Sequence, residues 1–180
     1  MTAPNQTGST RSNMLTGTFR DRESAERAYN SLTNRGYSSN DVNVLMSDDT
    51  RKRHFSSEST VKTDLGNKAA EGGATGAAIG GVAGAIVGVL AAAGTLALPG
   101  LGLVIAGPLA AGLAGLGAGG AAGGLIGSLV GAGIPEERAK LYENDIKSGG
   151  IVMGVKPRSD DDATYLEREW TNSRGENIYR

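Results

Sequence analysis

The chain has no cysteine, which excludes disulfides, thiolate metal sites and cysteine nucleophiles and agrees with a reducing compartment. It has a single histidine, His54, so a histidine-rich metal centre is excluded too. The formal net charge is -1, and no bulk basic character points to nucleic acid. The first twenty residues hold no apolar run of the kind a cleavable secretory signal needs, so the chain is expected to start in the cytoplasm. The largest absence is internal: no charged residue lies between Glu71 and Glu136. This window, 72–135, is 64 residues long, holds 21 of the 29 glycines and has no Phe, Tyr or Trp. All 18 basic and 19 acidic residues lie outside it. Part of the chain therefore lives in a different solvent from the rest, or is hidden from solvent.

Outside that window the pattern is α+β. Residues 1–12 are polar and read as a disordered arm. The segment 13–50 reads as β-α-β. "MLTGTF" alternates like a short strand, and "DRESAERAYNSLTNRGY" carries Ala25, Ala28, Tyr29 and Leu32 at helical spacing. Asp21 or Ser24 can cap this helix, and Gly36 stands where a helix-ending glycine belongs. "DVNVLM" follows with Val42, Val44 and Met46 on one face. Residues 51–69 read as a polar linker. The segment 134–158 reads as α-β: Pro135 opens a helix with Glu136 and Glu137 at its positive end, and Ala139, Tyr142 and Ile146 form its buried stripe. Gly149 ends that helix, and "IVMGV" is a strand stopped by Pro157. The tail, 159–180, is charged and partly helical around "TYLEREW". The order β-α-β, insertion, α-β resembles a ferredoxin-like layer lacking one strand. A core drawn from so few residues is marginal alone, so it is expected to lean on a partner subunit or on the insertion.

The insertion, 70–133, repeats glycine every four residues: Gly72, Gly76, Gly80, Gly84 and Gly88, then Gly115, Gly119, Gly123, Gly127 and Gly131. On a helix each run makes a stripe without side chains, over which another helix backbone can pack closely. The opposite faces carry Ile79, Val82, Ile86, Val89 and Leu90, then Leu125, Ile126, Leu129 and Val130. Pro99 and Gly100 signal a turn, and Pro108 can open a second helix. The expected form is a glycine-zipper helical hairpin with its turn near 98–107. Arms of about 25 residues, at about 1.5 Å per residue, reach across a hydrocarbon core of about 30 Å. Against a membrane hairpin stand the Ala/Gly-rich arms, the missing aromatic belt and the mixed flanking charges. The alternative is a hairpin packed against copies of itself.

Three stretches resemble the bacterial general-stress, or heat-induced stress, family of the YflT type, whose members include low-temperature-induced proteins. They are "GTFRDRESAERAYNSLTNRGYSSNDVNVLM", "LPGLGLVIAGPLAAGLAG" and "GAGIPEERAKLYENDIKSGGIVMGV". The resemblance implies a stress-linked, non-enzymatic protein and carries over no catalytic residue. The long arm at the start and the tail from Asp160 lie outside the shared pattern.

Other motifs are weaker. "GLGAGG" matches G-x-G-x-x-G at Gly115, Gly117 and Gly120, but "PLAAGLA" before it is not a strand pattern, as a dinucleotide site requires. Arg51, Lys52 and Arg53 could touch anionic lipid headgroups; the plainer reading is a solvated loop. Asp48-Asp49 and Asp160–Asp162 read as solubilising, since they lack the spacing of a calcium loop. Trp170, with Tyr165 and Leu166, either forms a docking face or lies on a terminal helix that covers the core. No catalytic, cofactor or metal residue is expected, and no small-molecule substrate. The expected partners are copies of the chain and membrane lipids. The expected place is a cytoplasmic domain associated with the inner membrane, or the cytoplasm alone.

Overall fold

The computed structural model describes residues 14–55, 85–92, 95–98, 102–115, 124–131 and 133–180. The expected arm, 1–12, and linker residues 56–69 lie outside these. In chain order the elements are β1 (Leu15–Phe19), α1 (Arg22–Asn34), a 3-10 turn (Ser39–Asp41), β2 (Val42–Ser47), α2 (Asp48–Phe55), α3 (Ala85–Ala92) and β3 (Thr95–Leu98). They continue with β4 (Leu103–Ala106), α4 (Pro108–Gly115), α5 (Gly124–Gly131), α6 (Glu136–Lys147), β5 (Ile151–Val155), α7 (Asp160–Asn172) and β6 (Glu176–Tyr179). The fold is mixed α/β, with one six-stranded antiparallel sheet in the order β3-β4-β2-β5-β1-β6.

Helix boundaries follow local chemistry. The Asp21 carboxylate accepts the Ser24 amide at 2.8 Å and caps α1. Four helices end in one motif, in which two amides beyond the last turn bond back to it. After α1 the Tyr37 amide reaches the Leu32 carbonyl, and Gly36 takes φ +76°. After α6 the Gly150 amide reaches Asp145 and Gly149 takes φ +91°. After α5, Ile134 reaches Leu129 through Gly133. After α7, Gly175 reaches Trp170, with Arg174 in the left-handed position at φ 61°.

Helices cover both faces of the sheet. On one face Leu15, Phe19, Val42, Val44, Met46, Val104, Ile151 and Met153 pack against α1 and α7, with Ile86 and Val89 of α3 and Phe55 of α2. On the other, Leu45, Ile105 and Val152 pack against Leu125, Leu129, Ala139, Tyr142 and Ile146 of α5 and α6, with Ala110 of α4. The buried stripes expected on α1 and α6 are the observed ones.

The long helical hairpin is corrected by β3 and β4, which stand where its first arm should end and its turn should lie. "LVIA" is a four-residue apolar run, the pattern of a strand buried on both faces, and "TLAL" is a run of the same length whose Thr95 and Ala97 face outward. β4 pairs with β2 from Val44↔Ala106 to Ser47↔Leu103, which ties the uncharged window directly into the sheet. Pro108 does begin a helix, but α4 and α5 are eight residues each, and Gly124, at φ +61°, cannot lie inside one continuous helix from 108 to 132. The expected turn residues Pro99 and Gly100 lie outside the described residues. The tail supplies α7 and β6, and β6 pairs with β1.

Two polar side chains from the charged part hold the start of uncharged helices. Asn43 of β2, 2% exposed, accepts the Leu109 amide of α4 at 2.8 Å through Oδ1 and donates to the Gly154 carbonyl through Nδ2. Glu26 of α1, also 2% exposed, accepts the Ile86 amide of α3 at 3.3 Å and lies 3.6 Å from the Arg22 guanidinium. The Asn43 contact acts as a helix N-cap supplied from a distant element, worth about 0.5–2 kcal/mol when local.

Candidate functional site

The glycine runs were the leading site in the sequence. Gly72, Gly76, Gly80, Gly84, Gly119 and Gly123 lie outside the described residues. Gly115 is the last residue of α4. Gly88, Gly127 and Gly131 are exposed, and a methyl group added to any of them would meet no atom within 4 Å. Among the described residues they are not packed against another helix. The reason is architectural: α3 covers one face of the sheet and α5 the other, so the sheet itself separates Gly88 from Gly127 and Gly131. The aliphatic sides point inward instead, with Ile86, Val89, Leu125 and Leu129 buried. What remains outside is an uncharged surface bearing Gly88 on one side and Gly127, Gly131 and Val130 on the other, Val130 being 43% exposed.

Arg51, Lys52 and Arg53 stand on α2, not on a loop. Asp48 and Asp49 begin this helix and Lys52, Arg53 and His54 end it, the charge order that a helix dipole favours. Asp48 holds Arg51 at 2.8 Å and Lys52 at 2.6 Å, and those two cations keep its carboxyl below its ordinary value. Arg53 Nε donates to the Asp49 carbonyl at 3.3 Å. Two of the three cations are thus paired within the helix. Asp160–Asp162 form the first turn of α7, capped by Ser159, and Asp162 accepts the Tyr37 hydroxyl at 2.8 Å. Among the described residues no group of three or more His, Cys, Asp or Glu could hold a metal ion. Helix α4, not a strand, leads into Gly115, so the G-x-G-x-x-G match lacks the context of a dinucleotide site.

A polar cluster, buried at Thr16, Thr18, Tyr142 and Asp145 and open at Arg20 and Glu176, joins α6 to β1 and β6. Thr18 Oγ1 donates to Asp145 Oδ2 at 2.8 Å, Asn177 Nδ2 donates to the same oxygen at 2.8 Å, and the Arg20 guanidinium reaches Asp145 Oδ1 at 3.2 Å. Arg20 also meets Glu176 at 2.9 Å. The Tyr142 hydroxyl donates to the Asn177 carbonyl at 3.0 Å and shares a 2.7 Å bond with Thr16. Burial pushes the Tyr142 hydroxyl above its ordinary value, with the Thr16 bond working the other way. The Glu176 contact, set against burial, raises Arg20 above its ordinary value. Each of these side chains has a polar partner, and the cluster fastens β6 to the sheet. Asp145 was not singled out by the sequence. The signal was present in β1, whose Thr16 and Thr18 alternate with Leu15, Gly17 and Phe19 and so put polar groups on a face that a helix must cover.

No family model matches the chain, no curated protein matches it, and no solved structure matches it. Among the described residues no helix is long and apolar enough to cross a membrane.

Proposed function

We propose that the chain is a non-enzymatic stress-response protein that works by association with copies of itself through the uncharged outer surface of its inserted segment. The stress link rests on the resemblance of the three stretches quoted above. The association is carried by one observation: Gly88, Gly127 and Gly131 face outward with open space at each Cβ position, on two opposite sides of the domain. Such smooth uncharged helix faces let another backbone approach closely. The strand order β6-β1-β5-β2, with β5 between two strands that run the same way, supports a ferredoxin-like layer in which the tail strand β6 is the missing member. On this reading β3 and β4 extend that layer and α4, α5 and α6 cover its second face.

A second reading has the same surface resting on the cytoplasmic side of the inner membrane. The uncharged window favours it, and the pairing of Arg51 and Lys52 with Asp48 weakens a headgroup role for α2. Light scattering of the purified chain, with flotation on phosphatidylglycerol/phosphatidylethanolamine vesicles beside it, separates the two. Gly127→Leu and Gly131→Leu meet no neighbour among the described residues, so each is expected to change stability by less than about 1 kcal/mol while lowering association. Unchanged particle mass and unchanged flotation in both variants would remove the glycine surface from the reading.

A further inference from the structure

The two edges of the sheet differ in kind. One edge, β6, is blunted: its pairing with β1 shifts register between Thr16 and Thr18, Asn177 sits at φ 51°, Glu176 is ion-paired, and the Arg138 guanidinium lies 4.9 Å from the Tyr179 ring centre. Bulges, charges and irregular backbone are the devices by which an edge strand is kept from pairing with another chain. The other edge, β3, has none of them. It pairs in unbroken register with β4 from Thr95↔Ala106 to Leu98↔Leu103, carries no charge, and has no charged residue within twenty positions on either side. Thr95 and Ala97 are exposed, while Leu96 is half-buried against the core behind it. Among the described residues no strand pairs with the outer side of β3.

We propose that β3 pairs, antiparallel, with β3 of a second copy of the chain, making one continuous sheet across a two-fold axis. The partner is a copy because the edge is self-complementary. Uncharged residues meet uncharged residues, whereas a charged edge would set its charges beside aliphatic side chains with no counter-ion. A two-fold axis perpendicular to the sheet keeps each face continuous, and with the axis at Ala97 that residue lands opposite Ala97 of the second copy. The main-chain bonds give affinity, and the small exposed side chains let the strands close. This proposal rests on the self-association reading and names its geometry.

The test uses the full chain with Ala97→Lys, Ala97→Glu and Ala97→Ser. Ala97 is exposed, so all three are expected to fold, which circular dichroism checks. Sedimentation equilibrium is expected to show the dimer constant weakened at least about tenfold in the Lys and Glu variants and near the original value in the Ser variant. Mixing the Lys and Glu variants is expected to restore a heterodimer, because opposite charges then face each other across the axis. A monomeric wild-type chain overturns both this proposal and self-association. A wild-type oligomer left intact by Lys and Glu alike overturns the β3 edge alone, and dissociation without rescue on mixing overturns the two-fold pairing.

Discussion

Trp170→Ala is expected to cost about 3–5 kcal/mol, the range for removing a large aromatic side chain from a packed core. Trp170 is fully buried and meets Phe19 edge-to-face with ring centres 5.6 Å apart. It also fills the space beside Gly17, where an added Cβ would lie 3.2 Å from the indole ring. The melting temperature should fall by roughly 10 °C, at about 2–4 °C per kcal/mol for a chain of this size. Trp170→Phe should lose much less, because Nε1 of the indole has no hydrogen-bond partner among the described residues and the substitution sacrifices volume only. Thermal unfolding of the two variants beside Tyr165→Ala, a half-buried neighbour on the same helix, checks the order. Equal losses for Trp170→Ala and Tyr165→Ala would show that α7 does not cover the core.

Gly107→Ala is the second large effect. Gly107 links β4 to α4 at φ +97°, and an added Cβ would lie 2.1 Å from the Val42 carbonyl oxygen. That contact is with backbone of a central strand, so nothing flexible can give way. Left-handed backbone costs a residue with a side chain about 1–2 kcal/mol, and forced overpacking adds about 1–3 kcal/mol, for an expected loss of about 2–5 kcal/mol. Gly102→Ala is the control: its φ is +61° but nothing lies within 4 Å, so only the backbone term of about 1–2 kcal/mol applies. The difference between the two variants, read from urea midpoints, measures how tightly the uncharged window is packed onto β2. No difference would place Gly107 away from that strand.

What could be read from the sequence was local. Asp21, Gly36, Pro135 and Gly149 marked the ends of α1 and α6, because caps and left-handed glycines act within one turn. The apolar spacing in α1 and α6 and the alternation in β2 placed their buried faces for the same reason. The charge order of "DDTRKRHF" matches a helix dipole, and α2 forms there although the polarity of the segment alone points to a loop. The uncharged window departs from the expected hairpin for a different reason. Glycine every fourth residue satisfies a helical stripe, but "TLAL" and "LVIA" are short apolar runs whose state depends on what covers them. Only the sheet, assembled from residues as far apart as Val44 and Ala106, decides it. The cluster around Asp145 was hidden likewise, since Thr18 and Asn177 reach it from distant parts of the chain.

The central claim is that the glycine-rich window is built into the domain's own sheet. Hydrogen–deuterium exchange at the Leu103–Ala106 amides tests it most directly, because β4 lies between β3 and β2 and each of its amides has a strand beside it. The account predicts protection of those amides close to that of Val44–Met46 in β2. Exchange of β4 at the rate of an unstructured peptide, while β2 and β5 stay protected, would contradict it.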